Sequence, residues 1–390
     1  PLFKHGRSFF RNTFPNNKHK SKAMNKIAPS LLLTFLVIVG LICLVSSKQS
    51  HPHNRAKRNP RAEKLQFRSN GKFKIVQFTD MHFGEDLGND RRTMEQQTKI
   101  LQWEQPDFVA VTGDSVSAYS QDDESCISEG GVANCYAASV RAMIEANVPW
   151  AFTIGNHDEE GDLTREQLLK HDMSYALSMS QMGPNTTNGY SNYVLHVFGS
   201  SSASSNMVIT NLYFMDTGNR GCMGVKGWGC LAPSQVEWYR NTSMTLRMKL
   251  NRTVPSLAFF HIANPEYMYS LNNLEAWGHR EENVCCSSLN TGIFAAFKEM
   301  QDVRATFVGH DHNNDYRVNY QNITLHYGRK TGFGGYFGKH FQTGARVIEL
   351  TESPFKIETW IRQADGTVDT QTNKKFELDD PQLKCCSADA

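Results

Sequence analysis

Apolar residues arrive along this chain in short runs, separated by polar stretches with helical spacing. The run FKIVQFTD (73–80) has the length and content of a buried strand. The stretch NDRRTMEQQTKILQWEQ (89–105) reads as a helix, with Asn89 as the expected cap and Pro106 as the stop. DFVAVTGD (107–114) predicts a second strand. A loop bounded by two cysteines, a helix around Ala137–Ala146 and the strand PWAFTIGNHD (149–158) follow. Apolar strands alternating with helices predict an α/β fold of parallel β-α-β units covered on both faces.

The middle of the chain is less regular. Thr164 and Gln167 have capping-box spacing at a helix start, and a Ser/Asn/Gly-rich stretch runs on to 205. Further strands are expected at 207–217, 256–264, 305–312 and 323–330. A helix is expected from PSQVEW (233–238), with Ser234 and Glu237 as a second capping box. ARVIEL and FKIETWIRQADGTV predict a closing antiparallel hairpin, with Asp365-Gly366 as its turn. The sequence shows no internal repeat and no second autonomous domain.

One apolar run, LLLTFLVIVGLICLV (31–45), stands apart upstream. It falls short of the about 20 residues a membrane-spanning helix needs and suits a signal-peptide core. Read from Met24, residues 24–47 form a signal peptide with Val45-Ser46-Ser47 at the cleavage site, and 1–23 are upstream extension. The alternative is a type II anchor that keeps the basic residues 1–26 cytoplasmic. In both cases the body lies outside the cytosol, secreted or in an endomembrane or vacuolar lumen, and meets a membrane only through an uncleaved anchor. Residues 48–69 read as a flexible leader, 70–352 as the main domain and 353–390 as a C-terminal hairpin and tail.

Charge and cysteines sharpen this picture. The net charge of +2 hides a basic leader, because residues 1–47 hold seven Lys/Arg and no Asp/Glu. From Lys48 onward 34 basic residues face 39 acidic ones, a balance of −5 that speaks against nucleic-acid binding. N-x-Ser/Thr sequons at Asn185, Asn241, Asn251 and Asn322 all follow the apolar run. Cys126–Cys135 and Cys222–Cys230 would close short loops, leaving Cys285-Cys286 and Cys385-Cys386 to meet, unless some thiols stay free.

The candidate chemistry sits at strand ends. Asp80 and His82 end one predicted strand, Asp114 the next, and Asn156 the third. His261 ends a fourth, and His310 and His312 a fifth. In parallel α/β sheets such ends open onto one crevice. Two divalent cations bring +4 and two aspartates remove 2, so the remaining charge of about +2 suits a phosphate ester, with a bridging hydroxide as nucleophile. Cations between His310 and His312 would also keep both rings neutral. Singly, each motif has a bland explanation, since Asp caps helices, buried His is usually just hydrogen-bonded, and Gly-Asn-His-Asp forms turns.

The ordered series D-x-H, G-D, G-N-H-D, H, G-H-x-H resembles the calcineurin-like metallophosphoesterase superfamily. FMDTG, PSQVEW, FFHIANPEY, VCCSSLNTGIFAAFKEM, VGHDHNNDY and YGRKTGFGGYFG extend the resemblance, over roughly residues 70–352, to a branch related to purple acid phosphatases. The resemblance implies a four-layer α/β/β/α sandwich. It implies Asp80, His82 and His312 on one metal, Asn156, His261 and His310 on the other, and Asp114 bridging. His157 would contact the phosphate or protonate the leaving oxygen, oriented by Asp158. GDSVS departs from the purple pattern G-D-x-x-Y by placing Ser117 at the tyrosine position. The chain is therefore expected not to be purple, with His82 replacing that ligand and two divalent ions (Fe, Mn or Zn) replacing an Fe(III)/M(II) pair.

Arg329 and Lys330, in HYGRKTGFGG, read either as substrate contacts or as solvated charges on a glycine-rich turn. Glu266 and Asp311 are candidate partners of the ligands, and Asp216 reads as structural. His171, His196, His326 and His340 read as surface or packing residues. The function expected is hydrolysis of phosphate monoesters. The alternatives are a phosphodiesterase on the same site or a catalytically silent binding glycoprotein.

Overall fold

Lys72–Phe78 points Phe73 and Ile75 to one side and Val76 and Phe78 to the other, and all four are buried. A strand with two apolar faces needs cover on both. In the computed structural model, which describes residues 64–119, 125–272, 274–372 and 381–386, that cover comes from a second sheet and from helices.

The strands are β1 (Leu65–Gln66), β2 (Lys72–Phe78), β3 (Phe108–Thr112), β4 (Trp150–Thr153), β5 (Tyr193–Phe198), β6 (Val208–Phe214), β7 (Arg220–Cys222) and β8 (Val225–Trp228). They continue with β9 (Ser256–Phe259), β10 (Ala276–Trp277), β11 (Val303–Val308), β12 (Arg317–Tyr320), β13 (Ile323–Tyr327), β14 (Gly344–Thr351), β15 (Lys356–Gln363) and β16 (Val368–Asp369). The helices are α1 (Leu87–Glu104), α2 (Cys126–Glu145), α3 (Arg165–Asp172), α4 (Pro233–Leu250), α5 (Glu266–Leu271) and α6 (Ile293–Met300).

Six strands form one sheet in the order β16-β15-β14-β2-β3-β4, and eight form another in the order β1-β5-β6-β9-β11-β13-β12-β10. Phe73, Ile75 and Phe108 of the first pack against Leu212, Phe259 and Phe307 of the second. Helices α1–α3 cover the outer face of the six-stranded sheet and α4–α6 that of the other. The fold is thus the four-layer α/β/β/α sandwich. Each sheet is covered on both faces as expected, by helices on one and by the other sheet on the other.

A row of stacked rings crosses the larger sheet: Tyr193, Phe214, Phe259, Phe307 and His326, with neighbouring centroids 4.6–5.1 Å apart. Cross-strand pairs of this kind fix register. Phe259 lies opposite Phe307, so the chain leaves β9 and β11 side by side, and His261 and His310 emerge together. His326 is a packing residue.

Local structure corrects several boundaries. Asp86, not Asn89, caps α1, its carboxylate accepting from the Asn89 N–H at 2.6 Å. The cysteine-bounded segment is helical, with a kink at Gly130-Gly131. At α4 the reciprocal bond runs from the Ala232 N–H to Gln235 (2.7 Å), while Ser234 turns to Asn188. Asp365-Gly366 joins β15 to β16 rather than β14 to β15. Strand β5 hides in the Ser/Asn/Gly-rich stretch, though its alternation of buried Tyr193, Leu195 and Val197 was readable.

Four disulfides join Cys126–Cys135, Cys222–Cys230, Cys285–Cys386 and Cys286–Cys385. The two short-loop bridges are those expected and the vicinal pairs meet, with the order within them set by the structure; the set is consistent with an oxidising compartment and the secretory pathway. No helix among the described residues is long and apolar enough to cross a membrane; the run 31–45 lies outside them.

Candidate metal centre

The ends of β2, β3 and β4 carry Asp80, His82, Asp114 and Asn156, and those of β9 and β11 carry His261, His310 and His312. Both sheets deliver these residues to one edge of the sandwich. Asp80, His82, Asp114 and His310 adopt left-handed backbone conformations, with φ of 52°, 52°, 50° and 77°. That region is sparsely used by residues other than glycine, and strain of this kind collects at functional sites. The glycines of G-N-H-D and G-H-x-H permit the loops to converge. A β-carbon at Gly155 would collide with the Asp114 carboxylate, and one at Gly309 with Thr79 Oγ1.

The donors form two groups that share Asp114: Asp80, His82, Asp114 and His312 in one, Asp114, His261 and His310 in the other. Within each group the candidate ligand atoms lie within 4.8 Å of one another. Asn156 Oδ1 joins the second, 3.0 Å from His261 Nε2. The imidazoles are pre-oriented through Nδ1. His82 Nδ1 meets Glu85 at 3.0 Å, His261 Nδ1 the Thr112 carbonyl at 2.8 Å, and His312 Nδ1 the Tyr336 carbonyl at 2.8 Å. Each such bond commits Nδ1 as donor and turns Nε2 toward the cluster, which frees the Nε2 lone pairs of His82 and His312, as metal-binding histidines require.

Those freed atoms then crowd together. His82 Nε2 and His312 Nε2 are 3.1 Å apart, about the spacing of two nitrogens held at right angles by one ion roughly 2.1 Å from each. His310 Nε2 is buried without a hydrogen-bond partner, and the buried Asp114 Oδ2 faces only His261 Nε2, at 3.0 Å. Such orphaned atoms are costly unless something cationic satisfies them. The donor set fits two divalent metals.

Electrostatics favour the neutral form in three of the imidazoles and set His261 apart. Burial first, and the Lys330 ammonium second, hold His82 and His312 below the usual imidazole range; burial and the His261 charge do the same for His310. Burial also opposes protonation of His261, but the Asp114 carboxylate overrides it and lifts the ring to about 9.

His157 stands half-buried beside the cluster, its ring 4.8 Å from that of His82. Its backbone N–H donates to Asp114 Oδ1 at 2.8 Å, and its Nδ1 meets Glu160 at 2.7 Å. Glu160, not Asp158, orients this ring. Asp158 instead accepts four backbone N–H bonds, from Asp114, Ser115, Val116 and Gly155, and ties the two ligand loops together. Ser117 lies 3.4 Å from Glu160 through its hydroxyl.

Neither reading of Arg329 holds. It is buried, paired with Asp315 at 2.5 Å and packed on Phe341, away from the cluster. Lys330 is also buried rather than solvated, but its ammonium donates to the Asp80 carbonyl at 3.0 Å beside the donors. Glu266 bonds Asn264 and Asn290 instead of a candidate ligand. Asp311 accepts from the Cys285 N–H and from Tyr327, fixing the loop between His310 and His312. Asp216 is structural as expected: it pairs with Arg165, whose guanidinium also donates to the Gly155 carbonyl at 2.7 Å.

Glu85, Glu160, Trp228 and Tyr336 are the site residues that sequence reasoning missed. The two glutamates had a common signal, a histidine followed by glutamate three residues later. Trp228 and Tyr336 had none, because loops far apart in sequence bring them in. Over the donors opens a pocket of about 450 Å³ lined by His82, His157, His310 and His312 together with Tyr119, Trp228, Cys285 and Tyr336.

Comparison with known proteins places these features. Residues 73–314 match the model of the calcineurin-like phosphoesterase family. The chain is 30% identical to the probable inactive purple acid phosphatase 28 of Arabidopsis thaliana, over 86% of this chain and 92% of that protein. It is 30% identical to the phosphatase DCR2 of Saccharomyces cerevisiae, over 77% of this chain and 55% of that protein. In fold it is similar to a dimetal phosphatase from Danio rerio, with a TM-score of 0.53 at 12% identity over 77% of this chain and 99% of that one.

Proposed function

Because the chain belongs to the calcineurin-like phosphoesterase family, we propose that its shared cluster of carboxylates and imidazoles hydrolyses phosphate monoesters with two divalent ions. The observation that carries this reading is the convergence of two donor groups that share Asp114, with His310 Nε2 buried and unpartnered among them. Asp80, His82 and His312 would hold one ion, Asn156, His261 and His310 the other, and Asp114 both. Iron, manganese or zinc all suit these ligands, and Ser117 in place of a phenolate favours a divalent pair. When bound, the ions would polarise the phosphoryl oxygens and supply the nucleophile at neutral pH.

The chain's own residues contribute the rest. Glu160 fixes His157 through Nδ1, leaving Nε2 as the nitrogen that can donate a proton to the leaving oxygen. Asp158 and Arg165 hold the Asp114 and Asn156 loops in place, so the donors need not reorganise when substrate binds. Lys330, buried beneath Asp80, adds positive charge under the site rather than a direct substrate contact.

A second reading has one observation in its favour, the name of the plant relative, which marks that protein as probably inactive. For this chain the complete donor set supports the hydrolase. The test is hydrolysis of p-nitrophenyl phosphate by the purified protein, after chelation and with manganese, zinc or iron restored, beside His310→Ala. Metal-restored turnover absent from His310→Ala is expected. Folded protein that holds two ions and turns over neither this ester nor its diester analogue would leave the silent glycoprotein standing. The four disulfides and the exposed sequon asparagines, Asn185, Asn241, Asn251 and Asn322, support a secreted or lumenal, glycosylated protein.

A further inference from the structure

The walls above the donors are aromatic. Trp228, at the end of the β7–β8 hairpin that Cys222–Cys230 closes, stands with its ring 4.3 Å from that of His310 and nearly perpendicular to it. Its carbonyl accepts from both the N–H and the hydroxyl of Ser288, at 3.1 and 3.0 Å, which fixes the strand end. Its indole N–H is buried and has no acceptor among the described residues. Tyr336, also on the pocket wall, stacks on His312 at 4.2 Å and 25°. Tyr336 and Tyr119 leave 55% and 79% of their surfaces exposed beside the donors. Aromatic surface left open next to a polar cluster is unusual unless it receives something flat and apolar.

The charges on the walls point the same way. No lysine or arginine is among the residues that line the pocket, whereas Glu85 lines it and Glu282 accepts from the Tyr336 hydroxyl at 2.8 Å. A second phosphate on the substrate would meet these carboxylates at the wall, while of the nearby cations Lys330 is engaged with Glu85 and Glu282 and Arg220 with the Trp228 ring.

Resting on the hydrolase reading above, we propose that this site selects singly phosphorylated esters whose leaving group is a planar, aromatic alcohol, held between Trp228 and Tyr336. Glu85 and Glu282 beside these walls disfavour polyphosphates. Trp228 and Tyr336 are therefore specificity residues; they add selectivity to chemistry carried out by the donors and His157.

Benzyl and ethyl phosphate test this fairly, since both release simple alkoxides and differ mainly in the ring. With metal-loaded full-length protein, kcat/KM for benzyl phosphate should exceed that for ethyl phosphate by at least about tenfold, carried mostly by KM, with ATP below both. Trp228→Ala should bring the benzyl-to-ethyl ratio down several-fold, and Trp228→Phe should keep most of it. Turnover with a wild-type ratio near one, or with ATP preferred, overturns the aromatic selection and leaves the hydrolase intact. If neither ester is turned over, the p-nitrophenyl phosphate assay decides the hydrolase reading and calorimetry decides the pocket separately. Benzylphosphonate binding about tenfold tighter than methylphosphonate sustains it as an aryl-phosphate site, and equal or weaker binding overturns it.

Discussion

Asp158 offers the sharpest test of how this site is built. The sequence assigns it to His157, but the structure gives it to the ligand loops. One carboxylate oxygen accepts from the N–H groups of Ser115 and Val116, at 2.8 and 3.0 Å, and the other from those of Asp114 and Gly155, at 3.0 and 2.7 Å. Asp158→Asn keeps the size and turns one oxygen into an amide NH₂. Whichever oxygen is replaced, two buried backbone donors then face another donor. Two charge-assisted bonds at about 1.5–3 kcal/mol each predict a loss of about 3–6 kcal/mol. Because the disrupted donors flank Asp114 and Asn156, metal affinity should fall with stability. Urea unfolding of the chelated protein gives the first quantity, and metal content after dialysis gives the second. Stability within about 1 kcal/mol of wild type, with both ions retained, would refute the scaffold role and restore the one the sequence suggested.

Glu160→Gln provides the contrast: both ions should stay bound, because the Glu160 carboxylate bonds His157 and Ser117 rather than any donor among the described residues, while kcat falls at least about tenfold as the proton donor loses its orientation. Cys285–Cys386 and Cys286–Cys385 close nearly the same loop, with separations of 101 and 99 residues. Removing either one should therefore cost little, but removing both should cost about 4–5 kcal/mol, measurable by urea unfolding of the single and paired serine variants. Burial pushes Asp90 up to about 7, so the folded protein binds its proton more tightly than the unfolded chain does. That stabilisation is fully present below pH about 4 and is lost as pH rises to about 7. Asp90→Asn should flatten that slope by about 2 kcal/mol, with allowance for solvent screening; an unchanged slope between pH 5 and 8 would contradict it.

Much of this protein was written locally. Apolar runs gave β2, β3, β4, β9 and β11 because a strand buried on both faces must be apolar throughout. The seven donors were legible because each interrupts such a run at its end, where a polar side chain has no reason to be unless the fold exposes it to something. Cysteine arithmetic reached the disulfides for a similar reason, since short loops pair first. Helix caps were read less well. Asp86 outcompeted Asn89, and Ala232 with Gln235 took the place of Ser234 with Glu237, because a cap depends on where the backbone turns by one or two residues.

Tertiary structure decided the rest. Arg329 and Lys330 are neighbours in sequence, yet one pairs with Asp315 in the protein interior and the other lies under the metal cluster. Trp228 and Tyr336, more than a hundred residues apart, became two walls of one pocket. No local pattern encodes these outcomes, because a side chain's partners across the sandwich depend on sheet register, and here a ladder of stacked rings sets that register across five strands. The sequence by itself determined which atoms could bind metal; the packing of two sheets determined which of them meet, what orients them and what the pocket above them can admit.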